Sequence, residues 1–240
     1  MILNNRILAI VPARGGSKGI KLKNLRKVGT RSLVQLVAET ISQLSFIDRN
    51  ILSTDHPEIA AIGKQHGLEV PSLRPAYLSG DLVSDVDVLT HSLLEVESLE
   101  QRQYDVIVML QPTSPFRTTG QVETTIHTLI QGAFDSVVTV SETDSKSHPI
   151  KQLTLQNGQL DFYDQKGRDI IARQQLSPVY HRNGIAYAMT RQCLVEQGTT
   201  IGSNSTAIVI DEYCPNIDTE YDLEWANWLV DSRETIKSRN

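Results

Sequence analysis

Residues 6–24 read RILAIVPARGGSKGIKLKN. Ile7 to Val11 are wholly apolar and include β-branched side chains, the pattern of a strand buried on both faces. The turn that follows gathers Gly15, Gly16 and Gly19 with Ser17 and four cations, Arg14, Lys18, Lys21 and Lys23. Glycines let the backbone approach a ligand closely, and amides with nearby cations suit a polyphosphate. The spacing matches neither GxGxxG nor GxxxxGK[ST], so it is neither a dinucleotide fingerprint nor a Walker A loop. On spacing alone, a phosphate cradle and a solvated basic loop both remain open.

Outward from this turn the chain alternates. Residues 32–44 place Leu33, Leu36, Val37, Thr40, Ile41 and Leu44 on one helical face. A short strand at 50–55 precedes a helix at 56–67, with Pro57 in its first turn and Gly67 as its stop. A helix is predicted over 87–101, and the strongest strand within 104–115, where Val106 to Leu110 are all apolar. A helix at 120–133, strands at 135–142, 183–190 and 206–212, and a helix at 220–236 complete the pattern. This alternation predicts right-handed βαβ units and an α/β, doubly wound, mostly parallel sheet. Ligands of such sheets sit beyond the carboxyl ends of the strands, which places residues 13–23, Thr54–Asp55 and 111–117 around one crevice. Residues 144–180 break the pattern and read as a β-hairpin about Asn157–Gly158, an arm inserted in a core formed by 1–143 and 181–240.

With 240 residues and 40% hydrophobic content, the chain can bury one core with a smaller lobe. A net charge of -5 argues against a general nucleic-acid binder, while a local basic patch can still hold a phosphorylated small molecule. Cys193 and Cys214 stand in no CxxC and read as core-filling side chains in a reduced, cytoplasmic setting. The six histidines show no metal-ligand spacing. The apolar stretch near residue 1 is too short for a membrane span and poorly ordered for a signal peptide, so no membrane partner is expected.

VPARGGSKGIKLKN (11–24), LRPAYLSGD (73–81), LQPTSPFRT (110–118), RQQL (173–176), RNGIAY (182–187) and NIDTEYDL (216–223) occur in this order. In these motifs the chain resembles the CMP-sialic acid synthetases, or acylneuraminate cytidylyltransferases, in their bacterial short form. The resemblance implies an enzyme that couples CTP to a nine-carbon 2-keto (nonulosonic, sialic-acid-like) sugar acid, giving a CMP-sugar and pyrophosphate. It also implies Mg²⁺, a nucleotide-diphospho-sugar transferase-like fold, and a small inserted dimerisation subdomain in a homodimer. The alternatives are a Kdo or other sugar nucleotidyltransferase, or a nucleotide-binding homologue with reduced activity.

The resemblance also assigns residues. Ala13, Arg14, Gly15, Ser17, Lys18, Lys23 and Asn24 bind the nucleotide, with Arg14, Lys18 and Lys23 on or beside the triphosphate. Lys21 replaces the family's usual proline and reads as a surface charge. Arg74 belongs near the cytosine ring and Ser84 beside the base, while Asp85 has no assigned role. Gln111, Asn183 and Tyr187 line the sugar pocket. Lys151 and Arg173 reach from the arm to the partner's sugar carboxylate, for which a guanidinium is the better match. His181 stands where relatives often carry arginine. The family's D-I-D-T-E here becomes Asn216-Ile217-Asp218-Thr219-Glu220, which leaves Asp218 as the main Mg²⁺ ligand and Asn216 as a weaker oxygen donor. Arg14, Lys18, Lys23 and Asp218 are the residues expected to be catalytic.

Overall fold

The computed structural model describes residues 4–237, with side chains described as far as residue 232. The first three and last three residues of the expected core, and the start of the N-terminal apolar stretch, lie outside the described residues.

Strand β1 (Ile7–Pro12) leads through the basic loop to a small hairpin, β2 (Lys27–Val28) and β3 (Arg31–Ser32), and then to α1 (Leu33–Ser42). Strand β4 (Arg49–Ser53), α2 (Pro57–Gln65), α3 (Asp85–Glu100) and β5 (Val106–Met109) follow. Next come α4 (Thr119–Gln131), β6 (Ser136–Glu142), the hairpin β7 (Leu153–Gln156) and β8 (Gln159–Phe162), and β9 (Tyr180–Thr190). Helix α5 (Arg191–Val195), β10 (Ser205–Val209) and α6 (Glu220–Lys237) end the chain.

The main sheet has the order β10-β6-β9-β5-β1-β4. All its strands run in one direction except β9, which pairs antiparallel with both β5 and β6. The mostly parallel sheet was legible from the alternation; the reversed central strand was not, because apolar patterning carries no direction. Side chains along β1 alternate between the two faces, as strand geometry requires. Ile7, Ala9 and Val11 join a core with α1, α2 and α4, whereas Leu8 and Ile10 join another with α3 and α5. Both faces are therefore covered by helices. The buried stripe of α1 is rotated from the expected one: Val34 and Ala38 are buried, and Leu36 and Thr40 are half-buried.

A smaller cluster (Ile20, Val28, Leu33, Ile217, Leu223 and Ala226) binds the basic loop to the segment that leads into α6. Thr219 and Asp222 cap that helix reciprocally. The Thr219 N–H donates to Asp222 Oδ2 (2.7 Å) and the Asp222 N–H to Thr219 Oγ1 (3.2 Å). The arm leaves after Glu142 and returns at Tyr180, its cross-strand partner. Asn157 (φ 52°) and Gly158 (φ 78°) form the expected two-residue turn between β7 and β8. Cys193 is buried and Cys214 half-buried, and neither is in a disulfide.

Candidate active site

The carboxyl ends of β1 and β5 open onto a cleft of ≈ 590 Å³, a size ordinary for small-molecule sites, whereas Thr54 and Asp55, expected beside it, do not line it. Nine of the expected site residues line it: Arg14, Ser17, Lys18, Lys23, Asn24, Arg74, Gln111, Asn216 and Asp218. They come from four separate motifs, brought together by parallel strands that end on one side.

The loop after β1 is pinned from several directions. The Ala13 N–H donates to the Ser53 carbonyl (2.9 Å) and the Gly15 N–H to Asp55 Oδ1 (2.8 Å). Asn24 Nδ2 donates to the Arg14 carbonyl (3.0 Å). The amides of Ala13 and Gly15, and the amide of the Asn24 side chain, therefore serve the loop itself. None of Gly15, Gly16 and Gly19 has a positive φ; the left-handed residue is Leu22 (φ 48°). Gly19 is required for another reason, since a Cβ there would collide with the Asp218 carbonyl oxygen. Lys21 is exposed and does not line the cleft.

The cations of the loop already hold carboxylates. Arg14 Nη1 and Lys18 Nζ grip the two oxygens of Asp81 at 2.8 and 2.9 Å. The Lys18 and then the Arg14 hydrogen bond hold the Asp81 carboxyl below its ordinary value. Asp81 thus occupies the position of an oxyanion between two cations. Lys23 Nζ meets Asp218 Oδ1 at 2.8 Å, and Asn216 Nδ2 donates to Asp218 Oδ2 (3.2 Å). Asn216 Oδ1 is buried with no partner. The Asp218 N–H donates to Asp222 Oδ2 (3.1 Å), so the cap of α6 also sets the backbone of this acid.

Across the cleft, Arg74 is buried at 7% exposure with Nε and Nη2 unpartnered. Burial lowers its pKa, with Asp55 and Asp85 opposing and Arg14 reinforcing that shift. On the β5 side, Arg117 is buried and donates through Nη2 to the carbonyls of Gln111 (2.6 Å) and Gly184 (2.9 Å), and through Nε to that of Ile185. It fastens the loop after β5 to β9. The Ile217 N–H reaches the Thr113 carbonyl (2.8 Å), joining the same loop to the Asp218 segment.

Other expected residues stand apart from the cleft lining. Ser84 Oγ caps α3, accepting from the Asp87 N–H (3.1 Å) and donating to Asp87 Oδ2 (2.7 Å); Asp85 lines the cleft beside it. Asn183 is buried, with its Oδ1 accepting from Thr139 Oγ1 (2.7 Å) and its Nδ2 donating to Ser141 Oγ (3.1 Å). Tyr187 is buried in the core under α3, and burial raises its phenol. Lys151 and Arg173 are exposed on the arm, where Arg173 lines a separate pocket with Glu142 and His148. Asp81 and Arg117, which sequence reasoning left without roles, both lie inside quoted motifs.

A family model described as "Cytidylyltransferase" matches residues 8–224. The chain is 27% identical over 224 residues to "CMP-N,N'-diacetyllegionaminic acid synthase" of Legionella pneumophila, covering 92% of this chain and 94% of that protein. It is 30% identical over 230 residues to "N-acylneuraminate cytidylyltransferase" of Escherichia coli, covering 93% of this chain and 52% of that longer protein. Among solved structures, a CMP:2-keto-3-deoxy-manno-octonic acid synthetase complexed with CTP shares the fold. Its TM-score is 0.70 at 18% identity, with 95% of this chain and 99% of that one covered.

Proposed function

The chain belongs to the cytidylyltransferase family, and from that premise we propose that it transfers CMP from CTP to a nonulosonic acid, releasing pyrophosphate. The observation that carries this reading is the bridging of Arg14 and Lys18 by Asp81 in a cleft that is also lined by Arg74, two of whose buried donors are unpaired. A triphosphate meets the same two cations, and a base meets the same donors.

In the proposed reaction the anomeric hydroxyl of the sugar attacks the α-phosphorus. The new O–P bond forms as the bond to the β-phosphate oxygen breaks, pyrophosphate leaves with its electron pair, and the hydroxyl proton is released to water. Arg14, Lys18 and Lys23 offset charge that builds on the α-phosphate and the leaving group. Gln111 offers both a donor and an acceptor to the sugar from the floor of the cleft. The oxygen donors present suit Mg²⁺ carried by a nucleotide. Asp218 supplies a carboxylate and Asn216 an orphaned amide oxygen, and a phosphate-bound Mg²⁺ needs one or two protein ligands. Once bound, the ion would neutralise phosphate charge.

A homodimer is part of the proposal. Leu153, Leu155 and Leu160 are exposed on one face of the β7–β8 hairpin, and an isolated hairpin is marginal without a partner. Lys151 and Arg173 are exposed on the arm and do not line the cleft of their own chain, which supports a role at a second subunit's sugar carboxylate. Cysteines outside any disulfide suit a cytoplasmic setting, and among the described residues no helix is long and apolar enough to cross a membrane.

Pyrophosphate release tests the reaction, using CTP, Mg²⁺ and a panel of acids: neuraminate, legionaminate and pseudaminate types and the eight-carbon Kdo. Turnover with a nine-carbon acid is expected. Preference for Kdo, or release with none of the acids, contradicts the reading. Mixing inactive Lys23→Ala and Arg173→Ala chains should restore activity in hybrid dimers; no recovery on mixing would count against a shared site.

A further inference from the structure

The two outer strands of the main sheet are guarded unequally. Along β4 a second segment closes the edge: Ile51 bridges to Glu69, and the Leu52 N–H donates to the Glu69 carbonyl (2.7 Å). Strand β10 has no such cover. Its even-numbered residues bond inward, since the Asn204 carbonyl accepts from the Asp135 N–H (2.7 Å) and the Ile210 N–H donates to the Val140 carbonyl (2.8 Å). Backbone groups alternate in direction along a strand, so those of Ser205, Ala207 and Val209 point away from the sheet. Among the described residues, nothing outside the sheet bonds them.

Exposed edges are ordinarily blunted by charge, proline or a bulge. Residues 198–210 carry no charged side chain and no proline, and β10 keeps one register with β6 throughout. Apolar surface continues past both ends of the strand. Ile201, Val209 and Tyr213 are exposed. Tyr213 meets Trp225 edge to face (centroids 6.4 Å), and Trp225 stacks on the exposed Trp228 at 4.8 Å. A continuous patch of this kind marks an interaction surface.

The edge is complementary to itself. A two-fold axis across the sheet sets two copies of β10 antiparallel. Centred on Ala207, it overlaps all five residues: Ala207 faces the second copy's Ala207, and Ser205 faces the second copy's Val209, each pair exchanging both hydrogen bonds. The same register sets Ile201 opposite Tyr213, and Asp211 and Glu212 opposite Ser203 and Gly202. Exposed apolar side chains therefore meet each other, and like charges do not.

We propose that β10 pairs with β10 of a second copy of this chain, joining two main sheets into one. The contact is separate from the arm and does not depend on the transferase reading. Together with an arm-mediated dimer it builds a tetramer.

Disulfide trapping and sedimentation equilibrium of the full chain test this. A hydrogen-bonded antiparallel pair sets its Cα atoms about 5.5 Å apart, within disulfide reach. Oxidised Ala207→Cys should therefore link chains in pairs where the wild type, with Cys193 and Cys214 alone, does not. Ala207→Pro removes an outward N–H and leaves the ladder to β6 intact. Val209→Lys removes no backbone donor and puts a charge on the edge, which keeps the test valid where proline disturbs the strand. Each should halve the wild-type mass with unchanged circular dichroism. A two-chain wild type that falls to single chains in Val209→Lys supports the edge contact and removes the arm dimer. A monomeric wild type, a mass that Val209→Lys leaves unchanged, or a folded Ala207→Cys that never cross-links overturns the proposal.

Discussion

Replacing Arg117 with methionine keeps the length of the side chain and removes three hydrogen bonds, to the carbonyls of Gln111, Gly184 and Ile185. Burial brings the Arg117 pKa down to about 9, still above neutral, so the donor is a guanidinium cation at pH 7. Its desolvation cost is offset by those carbonyls, which lose their partner in the variant. Unpaired buried groups cost ~1–3 kcal/mol each, and since the Gln111 carbonyl keeps the Ser114 N–H, the Gly184 and Ile185 carbonyls together put the loss at ~2–6 kcal/mol. Against a domain stability of ~5–15 kcal/mol, that leaves a folded but weakened protein. Arg117→Lys keeps the charge as a single point donor and should recover part of the loss. Urea unfolding followed by the fluorescence of Trp225 and Trp228 reads the stability. Because Arg117 ties the Gln111 loop to β9, the KM for the sugar acid should rise more than the KM for CTP. A methionine variant within about 1 kcal/mol of wild type, with an unchanged KM for the sugar acid, would refute this account of the clamp.

Asp81→Ala should lower the KM for CTP severalfold at low ionic strength, because it frees Arg14 and Lys18 from their internal counter-ion; a raised KM would mean that Asp81 organises the loop instead. Lys23→Ala and Asp218→Ala should each reduce turnover by about 100-fold or more with unchanged circular dichroism; near-wild-type rates would remove either residue from the site. Gly19→Ala should weaken Mg²⁺ dependence and turnover together, since its methyl group must displace the Asp218 backbone, and full activity in that variant would dismiss the steric argument. Burial alone raises the Asp222 carboxyl, but bonds from the Thr219 hydroxyl and from the amides of Thr219 and Asp218 outweigh it and hold the group low. A depressed pKa gives stability that is present above the unfolded value of ~3.9 and lost as pH falls through the folded one. The stability gap between wild type and Asp222→Asn should therefore be open at pH 7 and close in acid; a gap independent of pH would dismiss the cap.

The strands and helices were legible because each carries an uninterrupted apolar run or a helical stripe, and the turn at Asn157–Gly158 because only certain residues form it. The candidate site was legible as a set of motifs: the rule that ligands bind beyond strand ends covered Arg14, Ser17, Lys18, Lys23 and Gln111, and the family resemblance added Asn24, Arg74, Asn216 and Asp218. Three kinds of fact were not. The direction of β9 depends on which neighbours it pairs with, information that alternation does not hold. The Asp81 bridge to Arg14 and Lys18 joins residues more than sixty positions apart, and an exposed aspartate in a loop gives no local sign of its partners. Ser84 and Asn183 have the right chemistry for ligands, yet here one caps a helix and the other ties β9 to β6, choices made by packing.

The central claim is that the loop after β1 grips a cytidine triphosphate and Asp218 meets its metal. A crystal structure with CTP and Mg²⁺ tests it most directly. The account predicts phosphate oxygens on Arg14, Lys18 and Lys23, Asp81 displaced from the first two, and the ion against Asp218. Nucleotide bound elsewhere, with Asp81 still between Arg14 and Lys18 and Asp218 away from the ion, would contradict it.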